Sequence, residues 1–212
     1  MEQRGLLLTF EGIDGSGKST QATMLFHRLL EEGFQALLVR EPGGTSISET
    51  IRDLLLDNKH QNMASTTELL LYTASRAQLV EEKIQPNLSE GVIVICDRYT
   101  DSTLAYQGYG RGLNKTFINN LNALATQETF PDITFIIDVD LHTARQRADI
   151  KKADRMESEK TEFKQRVQQG YRQIARQEPT RALVISGENT IETMHQKIWE
   201  HVLPKIEYLK TT

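Results

Sequence analysis

Cysteine, tryptophan and proline are scarce: the 212 residues hold one, one and five of them. With Cys96 alone no internal disulfide can form, so an apolar core must hold the chain, as suits a reducing compartment. Cys96 lies within an apolar run, where it reads as a small core residue. An excess of one charge is also missing. The 25 Lys and Arg against 29 Asp and Glu leave a net charge of −4, so no broad basic field exists to draw in nucleic acid. No apolar run is long enough to span a membrane, and the first, residues 6–10, is too short for a signal-peptide core. The expectation is a cytoplasmic protein that binds neither membrane nor nucleic acid. With no linker, repeat or low-complexity tract, residues 1–212 are read as one domain.

What is present is an alternation. Short apolar runs at 6–10, 36–39, 92–96, 133–139 and 182–185 recur between longer amphipathic segments. Five buried strands alternating with helices predict an α/β fold, a parallel sheet covered on both faces. After the first run Ala22, Leu25, Phe26 and Leu29 repeat at helical spacing and Gly33 is placed to end the helix. Helices are also predicted over 48–56, 66–85, 117–127, 159–177 and 190–209. Leu69, Leu70 and Leu71 point in three directions, which predicts that this part of its helix is buried all round. Apolar periodicity fails only at 140–159, where Arg145, Arg147, Lys151, Lys152 and Arg155 are mixed with acids and small residues. That segment reads as a mobile connection or lid.

Gly12-Ile13-Asp14-Gly15-Ser16-Gly17-Lys18-Ser19, followed by Thr20, matches the phosphate-binding pattern G-x-x-x-x-G-K-[ST] between a strand and a helix. Glycines let backbone N–H groups turn toward phosphate oxygens and the helix aims its positive end at them. Lys18 reaches the β/γ-phosphates, and the Ser19 hydroxyl can ligate Mg²⁺. A chance match in a chain of this length has a probability on the order of 1%. A nucleoside triphosphate and Mg²⁺ are therefore the expected ligands. A GTPase switch is not supported, because Asn58-Lys59-His60-Gln61 and Asn114-Lys115-Thr116-Phe117 both lack the Asp of the guanine-reading N-K-x-D.

The second strand run ends in Arg40-Glu41-Pro42-Gly43-Gly44-Thr45, at the sheet edge where ligands of open α/β sheets collect. With Arg52 on the next helix, two guanidiniums can hold a second phosphate. Tyr72 and Arg76, one helical turn apart, can stack on a base and bond its edge. The run 92–96 leads into Asp97-Arg98-Tyr99, then Ser102-Thr103-Leu104-Ala105-Tyr106-Gln107.

Together with the phosphate loop, Arg40-Glu41-Pro42-Gly43-Gly44 and the Tyr72/Arg76 pair, that D-R-Y-x-x-S-x-x-A-Y-Q stretch resembles the thymidylate kinase family, in order from about residue 6 to residue 171. The resemblance implies a P-loop nucleoside monophosphate kinase fold, five parallel strands flanked by helices with a lid at about 140–159. It implies γ-phosphoryl transfer from ATP to dTMP in dTTP synthesis, by a homodimer with helix 66–85 as a plausible contact. By resemblance Tyr72, usually Phe in relatives, stacks on thymine and Arg76 bonds its O4. Thr103 and Gln107 line the base pocket and Tyr106 packs against deoxyribose. Asp14 meets the acceptor phosphate and metal; Arg98 neutralises the transferring group, and Asp97 orients it or holds Mg²⁺ through water. Some relatives carry an Arg at the position of Gly15 and others supply that charge from the lid. This chain resembles the second kind, with Arg155, Lys151 and Lys152, or else Arg145 or Arg147. Lys18, Arg98, Asp97 and Arg155 are the implied catalytic set. A deoxynucleoside kinase and a non-catalytic NTP-binding module are the alternatives.

Overall fold

The computed structural model describes residues 4–147 and 153–207. Strands β1 (Leu7–Glu11), β2 (Ala36–Arg40), β3 (Ile93–Asp97), β4 (Ile133–Asp138) and β5 (Ala182–Ser186) form one sheet in the order β2-β3-β1-β4-β5. All neighbours are parallel, with Leu7 beside Val94, Leu8 beside Ile133 and Arg40 beside Asp97. Parallel pairing puts the carboxyl ends of β1, β2 and β3 at one edge, so Gly12, Glu41 and Arg98 leave the sheet side by side.

Both faces are covered, which is why the strand runs read as continuously apolar rather than alternating. Helices α1 (Lys18–Glu31) and α9 (Ile191–Ile206) cover one face, where Leu25, Leu29, Ile198 and Trp199 pack on Leu8, Phe10 and Phe135. The other face carries α3 (Ser65–Leu79) and α8 (Thr161–Gln177), whose Leu79 meets Val94 in one cluster while Val167 and Ile174 meet Ile136 in another. Helix α2 (Ser46–Leu56) is capped by Thr45, which accepts from Ser48 N, and α6 (Lys115–Thr126) by Asn114, which accepts from Phe117 N.

Several expectations are corrected. The 66–85 helix keeps a regular pitch only to Leu79 and continues through a widened turn, Val80–Ile84, into α4 (Gln85–Ser89). Leu70 is not buried: it stands 48% exposed while Leu69 is sealed. The stretch after β3, to which the sequence assigned no element, is helical, as α5 (Thr100–Thr103) running into a wide helix over Leu104–Gly110. The 140–159 connection begins with helix α7 (Leu141–Arg147), for which Asp140 accepts from the Thr143 amide and hydroxyl at 2.9 and 2.7 Å. At its other end Arg155 and Met156 are buried. Lys151 and Lys152 lie outside the described residues.

Candidate functional site

The loop between β1 and α1 bends tightly enough that Gly15 has φ +78°, and an added Cβ would stand 2.1 Å from the Ala144 carbonyl oxygen. No side chain fits there without moving the backbone. Lys18, buried at the start of α1, reaches Asp14 Oδ1 at 3.4 Å. Burial and the nearby Arg98 charge lower the pKa of the Lys18 ammonium, against the pull of Asp14 and Asp97; a bound polyphosphate would relieve both costs.

Arg98 is the hinge of the site. Its backbone has φ 72°, unusual for a non-glycine residue, and turns the chain sharply where β3 leaves the core. Its Nη2 donates to Asp14 Oδ1 at 2.5 Å and to the Tyr106 hydroxyl at 3.3 Å; its Nη1 donates to Gly12 O at 2.9 Å. Burial alone would raise the Asp14 carboxyl, but Arg98 and Lys18 hold it well below the usual carboxylate range. Asp97 has one buried carboxylate oxygen with no hydrogen-bond partner.

One cavity gathers Asp14, Glu41, Pro42, Arg52, Tyr72, Arg76, Arg98, Thr103, Tyr106 and Gln107. Every predicted acceptor residue but one is therefore brought to the same wall. Arg40 is the exception. Its guanidinium turns outward to make a bidentate pair with Glu49 at 2.9 and 3.1 Å, and Arg52, which donates to Pro42 O at 2.8 Å, is left to face the cavity. Arg76 is fully buried and already well used: Nε donates to Glu41 Oε2, Nη1 to Thr103 Oγ1 and Asn122 Oδ1, and Nη2 to Tyr99 O, all within 2.9 Å. It ties together Glu41, Tyr99, Thr103 and Asn122 at one end of the cavity through bonds within the protein. Glu41, joined to Pro42 by a cis peptide, keeps its other carboxylate oxygen buried and unpartnered. Burial pushes its carboxyl up despite Arg76.

Arg155 requires a correction. It is 2% exposed, donates from Nη1 to Glu68 at 2.6 Å and from Nε to Leu55 O at 2.7 Å, and does not line the cavity. Glu68, which sequence reasoning passed over, also accepts from Gln107 at 2.8 Å and from Arg111 at 3.0 and 2.8 Å. Burial opposes ionisation of Glu68, yet those donors outweigh it and lower its pKa. The sequence offered one sign, an acid just ahead of the Leu69-Leu70-Leu71 run; its partners, on two distant segments, left none.

A separate cleft opens on the other side of the loop, lined by Gly15, Lys18, Ser19, Thr20, Arg147, Asn189 and Thr190 among others. Arg147 spans it, donating to Gly187 O at 2.9 Å. Arg145 lines the space between this loop and α8, beside Asp14 and Tyr106. Among the described residues no group of three or more His, Cys, Asp or Glu side chains is arranged to hold a metal. A cation fitting Ser19 and the unpartnered Asp97 oxygen would be an oxygen-liganded one that keeps waters and phosphate oxygens, as Mg²⁺ does.

Comparison with known proteins gives one answer. The family model described as thymidylate kinase matches residues 10–198. The thymidylate kinase of Caldanaerobacter subterraneus subsp. tengcongensis is 45% identical over 207 residues, covering 98% of both chains. That of Chlorobaculum parvum is 46% identical over 203 residues, covering 91% of this chain and 93% of its own. The crystal structure of thymidylate kinase from Ehrlichia chaffeensis superposes with a TM-score of 0.79 at 38% identity, covering 94% of this chain and 99% of that one.

Proposed function

The chain belongs to the thymidylate kinase family and is an ATP-dependent nucleoside monophosphate kinase; from that premise we propose how its residues move the γ-phosphoryl of ATP onto dTMP to give dTDP and ADP. The observation that carries the reading is the position of Arg98, bonded at once to the loop that cradles the donor and to the wall of the acceptor cavity. ATP enters the cleft between Arg147 and the segment around Asn189, its phosphates on the backbone of 12–20 and on Lys18. dTMP fills the cavity, with its base against Tyr72, Arg76, Thr103 and Gln107, its sugar by Tyr106 and its phosphate between Arg52, Arg98 and Asp14.

Phosphoryl transfer asks a protein mainly for alignment and charge neutralisation. Arg98 and Lys18 meet the negative charge from two sides, and Asp14 holds both cations in place. Ser19, and Asp97 through water, would hold Mg²⁺, which would supply charge neutralisation at the phosphates. The remaining charge comes from the lid, because Gly15 admits no arginine; Arg145, Arg147, Lys151 and Lys152 are its sources, and Arg155 anchors the segment that carries them. Closure of the lid over 140–159 keeps water from the phosphoryl group.

The enzyme works as a homodimer through α3 and α6, where Leu70, Phe117 and Leu124 are 48%, 50% and 75% exposed on packed neighbours; a monomeric mass by light scattering would remove that assignment. No helix among the described residues is long and apolar enough to cross a membrane, and with its one buried thiol the protein is assigned to the cytoplasm, where cell fractionation should find it. The function is tested by ADP release with ATP against dTMP, dUMP, dCMP, UMP and thymidine, with and without Mg²⁺. Turnover is expected with dTMP and Mg²⁺. Preference for thymidine, or no turnover with dTMP, sinks the assignment.

A further inference from the structure

Behind the residues that touch the substrates, we infer that Glu11, Ser102 and Tyr171 form a buried positioning network that fixes the Arg98 guanidinium between donor and acceptor. The inference rests on the reading of Arg98 as the cation at the transferring phosphoryl. Arg98 Nη1, one of whose two hydrogens goes to Gly12 O, shares the other between Ser102 Oγ at 3.2 Å and the Tyr171 hydroxyl at 3.1 Å. A hydroxyl both donates and accepts, so these contacts hold only if each hydroxyl proton is directed elsewhere. Glu11 supplies that direction. Its Oε2 accepts from Ser102 Oγ at 2.5 Å and from the Tyr171 hydroxyl at 3.0 Å; with both protons turned to Glu11 rather than spent on the 2.8 Å contact between the two hydroxyls, the lone pairs of both face Arg98. Its Oε1 accepts from the Tyr99 and Ser102 amides at 2.7 and 3.2 Å, which locks the carboxylate against rotation.

Glu11 is wholly buried and Tyr171 nearly so, and an acid in that position without a purpose would cost stability. The arrangement joins three segments remote in sequence: the residue before the phosphate loop, the helix after Asp97-Arg98, and α8 beyond the lid. An arginine has several free rotors, and its guanidinium must be held to within a fraction of an ångström to act on a transition state. The three side chains act through Arg98 and are positioning residues, not catalytic ones.

The test is a cycle of Tyr171→Phe, Arg98→Lys and the double variant, with kcat and both KM values measured. Phe keeps the ring that packs edge-on against Tyr106 and removes only the hydroxyl. Tyr171→Phe is expected to lower kcat about tenfold, the usual consequence of losing a hydrogen bond to a charged group, with KM for ATP within about twofold. In the Arg98→Lys background, where the forked donor is gone, the same change should alter kcat less than about twofold. Ser102→Ala should lower kcat in the same direction, and carries the test if the tyrosine variant does not fold. An unchanged kcat in Tyr171→Phe, or the full tenfold loss repeated in the Arg98→Lys background, overturns the network. Full activity in Arg98→Lys alone instead overturns the reading of Arg98, and the inference with it.

Discussion

The donor side and the acceptor side of this cleft are built on opposite plans. The donor side is nearly contiguous: on the proposed reading residues 12–20 supply a loop whose backbone would do most of the binding, with one buried lysine. The acceptor side draws side chains from the turn after β2, from α2, α3, the helix after β3 and the segment before α8, and its innermost arginine, Arg76, is fixed by a buried carboxylate. A backbone site is specified by loop conformation, so glycine positions reveal it. A side-chain site is specified by pairing, and an arginine's role depends on which acid claims it. Arg155 is claimed by Glu68 and does not line the cavity; Arg76, though paired with Glu41, keeps a face toward it, as do Arg52 and Arg98.

The widest separation between the two plans should come from Lys18→Ala. On the donor side one side chain carries a charge that no neighbour can replace, so kcat is expected to fall at least about a hundredfold while the melting temperature stays close to that of the parent. An unimpaired rate would show that the loop has been misread. Glu68→Ala should do the reverse. It leaves Arg155 buried beside Leu55 O without its carboxylate, a change of about 3–5 kcal/mol in stability, and it frees the Gln107 amide that lines the base pocket. Denaturant unfolding should show the loss, and the surviving folded enzyme should have a raised KM for dTMP with KM for ATP little changed. A variant of unaltered stability would mean that the Glu68 cluster is not what anchors the lid segment.

The same contrast explains how much could be read from the sequence. The sheet, its helices and the phosphate loop follow from local periodicity and glycine placement, and the five strands lie where the apolar runs put them. Helix α7 was missed because Asp140-Leu141-His142-Thr143 carries a capping pattern but too little apolar periodicity after it. Arg40 and Arg155 were misplaced for another reason: their partners, Glu49 and Glu68, are nine residues away in one case and 87 in the other. No spacing rule tells an arginine that binds phosphate from one that binds a neighbouring acid. Tyr171 and Glu11, 160 residues apart, were equally invisible as a pair.

A smaller effect should separate the buried acid behind the site from those that face it. Burial pushes the Glu11 carboxyl from 4.5 up to about 7; Asp101 adds to the shift, while Ser102, Arg98 and the Tyr99 amide oppose it. A carboxyl that holds its proton more tightly in the folded chain contributes stability that is complete below about pH 4.5 and is lost as the pH rises through about 7. The melting temperature should therefore carry a downward slope between those values, worth about 2–4 °C per kcal/mol in a chain of this size. Glu11→Gln should flatten the slope when both proteins are melted across the range at constant ionic strength. Parallel curves would assign the slope to other groups.

The finest test sets against each other two arginines of which only one reaches the cavity wall. Arg40 and Arg52 look equivalent in sequence, yet the first is exposed and paired with Glu49, while the second is half-buried, bonded to Pro42 O and open to the cavity. Glu49, also exposed, keeps its own bond to the Gly44 amide at 2.7 Å, so the loop does not depend on Arg40. Arg40→Ala should therefore stay within about 0.5 kcal/mol in stability, as exposed ion pairs usually do, and leave KM for dTMP within about twofold. Arg52→Ala should raise KM for dTMP at least about tenfold by removing a charge-assisted contact to the acceptor phosphate, with thymidine binding unaffected because it carries no phosphate. Equal effects from the two variants would restore the two-arginine clamp that the spacing of Arg40 and Arg52 first suggested.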